Sequence, residues 1–170
     1  MVLFQEFRLV KKWKMRSDCS ADGIHRPWVA GIHDGPDGAY SIAISGGYED
    51  DKDDGEVFQF TGSGGRDLKG TKDNPKNLRT APQSKDQELV RGNLALKRSF
   101  ETQLPIRVIR GFKGTSKYAP SVGYRYDGLY VVERFWEEIG KAGFKVYKVL
   151  VRRLPGQPPI PINPEKDESS

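Results

Sequence analysis

Residues 45–67, SGGYEDDKDDGEVFQFTGSGGRD, decide how the rest of the chain is read. A Gly46-Gly47 turn opens the stretch, an aromatic follows at Tyr48, and six carboxylates crowd into residues 49–56. Val57–Thr61 is rich in β-branched and aromatic residues and reads as a short strand. That strand carries a second aromatic, Phe60, into another glycine turn at 62–65. Two aromatics flanking a carboxylate, on glycine-freed backbone, could grip a flat polar ring from both faces and along one edge. A nucleobase rotated out of a duplex is such a ring.

Upstream, residues 39–45 (AYSIAIS) alternate small or polar with apolar residues and read as a strand that delivers the Gly-Gly turn. Before it, residues 23–33 (GIHRPWVAGIH) hold an Arg-Pro-Trp-Val turn fixed by Pro27. His25 and His33 stand eight residues apart without a cysteine partner, and read as hydrogen-bonded histidines rather than metal ligands. Residues 1–16 mix apolar and basic side chains, with 13–16 a candidate opening strand. Downstream, residues 62–86 are loop-like, with Pro75 and Pro82 among Lys69, Lys72, Lys76 and Arg79. Ser84 and Gln87 resemble a capping box, and Leu89, Val90, Leu94 and Leu96 supply an apolar stripe, so a helix is predicted over 86–99, slightly weakened by Gly92. Strands are predicted at 106–109, 129–135 and 144–151, and the tail from Pro155 is expected to close the domain and fray.

The 170 residues are most economically one domain. Lys plus Arg number 28 against 23 Asp plus Glu, a net +5, and between Arg91 and Arg153 fourteen basic residues face five acidic ones. That region suits a polyanion, whereas the acid run is chemically specialised. The single cysteine, Cys19, excludes an internal disulfide and a multi-cysteine zinc site, and fits a reducing compartment. Charges at Glu6, Arg8, Lys11 and Lys12 interrupt the N-terminal apolar stretch, so neither a signal peptide nor a membrane span is read, and a soluble intracellular protein is expected.

Several chemistries fail on spacing. Counted from Asp50, the third position of a calcium loop is Lys52 and the twelfth is Thr61 rather than Glu. The glycine run 62–66 (GSGGR) lacks the Lys-Ser/Thr of a phosphate loop and opens no predicted helix. A zinc deaminase needs cysteines that are not there, and two histidines in one short segment support no nucleophilic triad. Base handling without base chemistry remains.

The strings at 23–33, 37–51 (DGAYSIAISGGYEDD), 60–68, 86–98 (DQELVRGNLALKR), 117–120 (KYAP), 126–130 (YDGLY) and 155–159 resemble, in order, the SET- and RING-associated domain, also called the YDG domain. The resemblance spans residues 13–161, leaving 1–12 as a lead-in and 162–170 as an acidic, disordered tail. It implies an α+β fold of the PUA-like kind, with a twisted barrel-like β-sheet flanked by helices and a saddle-shaped face for DNA. The implied function is a non-enzymatic reader of 5-methylcytosine in double-stranded DNA, without metal or cofactor, that flips the modified base into a pocket. By this resemblance Tyr48 matches one stacking aromatic, Asp51 the carboxylate on the base's polar edge, and Phe60 the place of a second stacking tyrosine. Ser45, Gly46, Gly47, Thr61 and Ser63 match the pocket walls. Val29 matches the tip of a loop entering the minor groove, with Arg26 near phosphate, and Arg66 and Lys69 are further phosphate candidates.

The chemistry of these residues agrees. Cytosine presents an N4 amino donor that the Asp51 carboxylate can accept, whereas thymine turns an O4 acceptor toward it and leaves both unsatisfied. Stacking contributes ~1–3 kcal/mol per contact, comparable to the few kcal/mol lost on unstacking. Burying the methyl adds only ~0.8 kcal/mol, about fourfold in affinity, so stronger discrimination needs close fit or groove contacts.

The main departure follows Gly70. Family members that prefer hemimethylated CpG can carry an Asn-Lys-Arg finger that fills the vacated space. Here Thr71 replaces the asparagine, Lys72 follows, and residues 73–78 precede Arg79 like an insertion. Lys72 or Arg79 is expected to fill the gap, with weak discrimination between hemimethylated and fully methylated DNA. Expected partners are methylated duplex DNA and histone or chromatin-modifying proteins in a nucleus, with no membrane and a monomeric state. GNLALKRSF at 92–100 and LPGQPP at 154–159 look like domains attached to histone methyltransferases, and KYAP like those of ubiquitin ligases. Two alternatives stay open: the recognition module of a modification-dependent nuclease, and a DNA-binding or protein-interaction domain whose pocket has drifted.

Overall fold

The computed structural model describes residues 12–25, 27, 31–46, 51–66 and 83–167. Its centre is a parallel pair, β3 (Ala39–Ile44) beside β6 (Ile106–Gly111). Successive side chains of a strand point to opposite faces. Ile42 and Val108 therefore enter one apolar cluster with Phe58, Phe60, Leu96 and Tyr130, while Ala43 and Ile109 enter a second with Trp13, Cys19, Ile24 and Tyr124. A parallel pair needs a long crossover. Here the connection carries β4 (Lys52–Asp53), β5 (Val57–Thr61) and α2 (Arg91–Thr102).

The sheet runs from β2 (Ile32–Asp34) through β3 and β6 to β7 (Tyr124–Ile139), β8 (Lys145–Arg153), β5 and β4, and β1 (Lys12–Trp13) pairs with the start of β7. Every pairing except β3 with β6 is antiparallel. The α+β class is as expected. The sheet is barrel-like only loosely, since its strand order is an open path with β2 and β4 at the ends.

Three elements differ from expectation. The predicted strand at 13–16 gives way to a helix, α1 (Arg16–Ala21), because Asp18 Oδ2 accepts from the Met15 amide at 3.3 Å and Asp22 Oδ2 accepts from the Trp13 indole at 2.6 Å. The helix predicted over 86–99 starts instead at Arg91. The residues before it serve β8: Asp86 Oδ1 accepts from the Lys145 amide at 2.7 Å, and the amide of Gln87, read as half of a capping box, donates to the Lys145 carbonyl at 2.9 Å. Of the stripe read from the sequence, Leu96 is buried in α2, together with Gly92, Asn93, Ala95 and Ser99, while Val90 is 51% exposed. Small residues let the helix lie close: a Cβ on Gly92 would stand 3.0 Å from Ile32, and Ser99 Oγ accepts from the Ala39 amide at 2.8 Å.

The Tyr-Asp-Gly string sits where β7 bulges against β6. Val108 pairs with Gly128 and Ile109 with Tyr126, so Asp127 is the extra residue. A bulge re-aims a side chain, and here it turns Asp127 inward. Gly128 has φ +105°, and a Cβ there would overlap Gln157, whose side chain bonds both backbone groups of Leu129. Past Pro155 the chain stays docked through a 3-10 turn at Pro164–Lys166 rather than fraying. Asn163 Nδ2 donates to the Ala119 carbonyl at 3.2 Å, and Lys166 Nζ donates to the Phe112 and Gly114 carbonyls at 2.6 and 2.9 Å.

Candidate nucleic-acid-binding site

β5 ends in Phe60 and Thr61, and β4 lies antiparallel to it with Lys52 opposite Gln59 and Asp53 opposite Phe58. Asp51 is the next residue back along β4. Thr61 Oγ1 donates to Asp51 Oδ1 at 2.6 Å, so the two predicted pocket residues are joined directly. Thr61 is buried, and the Phe60 ring belongs to the first apolar cluster, with 8% exposure. A Cβ on Gly31 would stand 3.3 Å from that ring, which brings the base of the 23–33 segment against it.

The turn after β5 is held from outside. Asn93 of α2 accepts from the Ser63 amide and donates to the Ser63 carbonyl, both at 2.8 Å, and a Cβ on Gly62 would overlap its side chain. Gln87 Nε2 donates to the Gly62 carbonyl at 2.8 Å while its oxygen accepts from the Tyr147 amide at 2.9 Å. Both clamping residues are about as buried as the core, at 1% exposure, and the sequence reading missed them. Asn93 lies on the buried face of α2 with Leu96 and Ser99, so a polar residue on the inward stripe was the available signal. Next, Arg66 forms an isolated antiparallel bridge with Gln83.

At the other wall, Gly46 has φ +76°, and a Cβ there would meet the carbonyl of Lys113 at 3.6 Å. The 112–120 loop therefore flanks the Gly-Gly turn. A Cβ on Gly111 would overlap the Ser45 side chain, whose buried Oγ has no hydrogen-bond partner among the described residues. Gly47, Tyr48, Arg26, Val29, Lys69, Thr71, Lys72 and Arg79, all assigned from sequence to pocket, groove or phosphate, lie outside the described residues.

Beneath the acid run is a buried charge network that the sequence reading did not find. Arg110, 1% exposed, donates through Nε and Nη2 to both oxygens of Asp53 at 2.8 Å, and through Nη1 to Asp127 Oδ2 at 2.9 Å and Tyr130 Oη at 3.0 Å. Arg125 closes the other side of Asp127 at 2.6 and 2.9 Å and reaches the Tyr118 carbonyl. Asp53 also accepts from the Gly55 amide and the Ser116 hydroxyl, each at 3.0 Å. Burial opposes the charge on Asp53, but the Arg110 guanidinium and these donors outweigh it and hold the carboxyl below its usual range. Burial likewise opposes the Arg110 charge, and its bonds and attraction to Asp53 and Asp127 keep it protonated well above the ordinary arginine value. Tyr130, buried beside them, is pushed up to about 12 and stays a neutral phenol.

The arrangement presents a carboxylate held by a hydroxyl at the end of β5. The sequence family described as SAD/SRA domain matches residues 4–157. A curated relative, the "UHRF1-like protein" of Cryptococcus neoformans var. grubii, is 56% identical over 154 residues, covering 89% of this chain and 45% of that protein, so the chain spans about half of it. Among solved structures, the SUVH5 SRA domain bound to fully hydroxymethylated CG DNA is 39% identical with TM-score 0.75, covering 94% of this chain and 97% of that one. The modification-dependent TagI restriction endonuclease is 36% identical with TM-score 0.76, covering 86% of this chain and 49% of that one.

Proposed function

The chain belongs to the SAD/SRA domain family, and from that membership we propose that it reads 5-methylcytosine in double-stranded DNA by rotating the modified base into a pocket beside Asp51 and Thr61. The observation that carries this reading is the 2.6 Å bond from Thr61 Oγ1 to Asp51 Oδ1. It fixes a carboxylate where a base edge would arrive. Cytosine and 5-methylcytosine offer an N4 donor to that carboxylate, and thymine does not. Phe60 backs one face of the base, Tyr48 covers the other, and the turns at Gly46-Gly47 and Gly62-Ser63 close the sides. Val29, Arg26, Arg66, Lys69 and the Thr71, Lys72 and Arg79 segment supply groove and phosphate contacts. The segment itself does no chemistry and needs no metal or cofactor.

Because the finger lacks its asparagine, the proposal includes similar affinity for hemimethylated and fully methylated sites. The reading extends to a nuclear setting with histone or chromatin-modifying partners, as part of a longer protein. Similarity to the TagI endonuclease favours one second reading, in which this domain directs a nuclease; magnesium-dependent nicking of methylated plasmid by the full-length protein would distinguish it.

The test is Asp51→Ala, with binding measured to methylated and unmodified duplexes at one salt concentration. The reader loses its methyl preference and falls to the affinity of unmodified DNA. Equal loss on both duplexes would instead mark a basic DNA-binding domain without a working pocket.

A further inference from the structure

β4 has two residues and, among the described residues, pairs only with β5, at the end of the sheet. Two residue pairs are too few to fix a strand in water, since even a whole two-stranded hairpin is marginal alone. What fixes β4 is Arg110. Its guanidinium takes both oxygens of Asp53 in a two-pronged pair, donates to the Gly55 carbonyl at 3.0 Å, and lies against the Phe58, Tyr118 and Tyr130 rings at 5.7–5.9 Å from their centroids. Ser116 holds the same carboxylate from the 112–120 loop. Asp51 directly precedes β4 and stands two residues from Asp53 along the chain, so the placement of Asp53 constrains it through the backbone.

We propose that Arg110 is a positioning residue for base selection: through Asp53 it holds β4 in register, and thereby sets the Asp51 carboxylate against Thr61 at the distance that accepts an amino group and rejects a carbonyl. This rests on Asp51 being the pocket carboxylate. Arg110 touches no DNA. Its influence on the base travels through one ion pair and one turn of backbone.

The experiment compares wild type, Asp53→Asn, Ser116→Ala and Ile109→Ala on duplexes that differ at one base opposite guanine: 5-methylcytosine, cytosine or thymine. 5-Methylcytosine and thymine share the methyl, and the cheaper unpairing of the mismatched thymine is the same for every variant, so the change in their affinity ratio from wild type to variant reads the polar edge. Asp53→Asn lowers that ratio about tenfold, the scale of one charge-assisted hydrogen bond, and Ser116→Ala lowers it by less. Both keep the affinity for unmodified duplex and its salt slope, which report phosphate contacts. Ile109→Ala, on the same strand but facing the second cluster, lowers the melting temperature and leaves the ratio unchanged. If Asp53→Asn does not fold, Ser116→Ala, which leaves the ion pair in place, decides the matter. An unchanged ratio in the folded variants overturns the positioning role while leaving the reader intact. A wild type without preference removes the reader, and this proposal with it.

Discussion

At the scale of the residue, the proposed pocket edge is one hydrogen bond, from Thr61 at the end of β5 to Asp51 just before β4. Thr61→Val removes the donor, and the loss of about 1 kcal/mol predicts roughly fivefold weaker binding of methylated duplex in a titration, with unmodified duplex unaffected. Cys19 gives a second prediction. Burial pushes its thiol up to about 11, above the ordinary value, and the residue is fully buried. Alkylation at pH 8 should therefore be slow in the native protein and rapid once denaturant opens it. The bond between Asp51 and Thr61 joins two residues that the resemblance assigned to one pocket. Gln87 and Asn93 were not legible in the sequence, because each acts on a backbone group far away in sequence, and no local pattern records which carbonyl a buried amide will meet.

At the scale of the element, strands with mostly apolar runs were read correctly, since Val57–Thr61 and Ile106–Gly111 must be buried whichever way the sheet curls. Elements held by single polar bonds were missed: β2, β4 and α1 are short and owe their form to partners such as Asp22, Arg110 and α2 rather than to propensity. The start of α2 moved because a capping box is only one use for a Ser-x-x-Gln string, and here a tether to β8 prevails. Arg110→Met would strand Asp53 without its buried ionic partner and leave Asp127 to Arg125 alone, with an expected loss of ~3–5 kcal/mol in urea unfolding. The same network sets an acid limit. Asp53 has a folded pKa below its unfolded value of about 3.9, so its contribution is fully present above that value and is lost as pH falls through the folded one. Wild type should thus shed this stability only below about pH 4, and Asp53→Asn should lack that component of the acid transition.

At the scale of the whole molecule, the same chain builds a specific edge and a general attraction. In the proposed reading the net charge of +5 draws any duplex and is screened by salt, whereas the pocket contacts act only on a base that has left the stack. Discrimination must therefore emerge at salt high enough to weaken the former. The C-terminal segment joins these scales, since Lys166 and Asn163 brace the 112–120 loop that flanks the Gly46 turn and reaches Asp53 through Ser116. The acidic composition of the tail concealed this, because one lysine and one asparagine hold the segment in place. The central claim is tested most directly by titrating the protein with duplexes carrying one unmodified, hemimethylated or fully methylated CpG, all at one salt concentration. The account predicts tighter and closely similar binding of both methylated duplexes; equal binding of all three would contradict it.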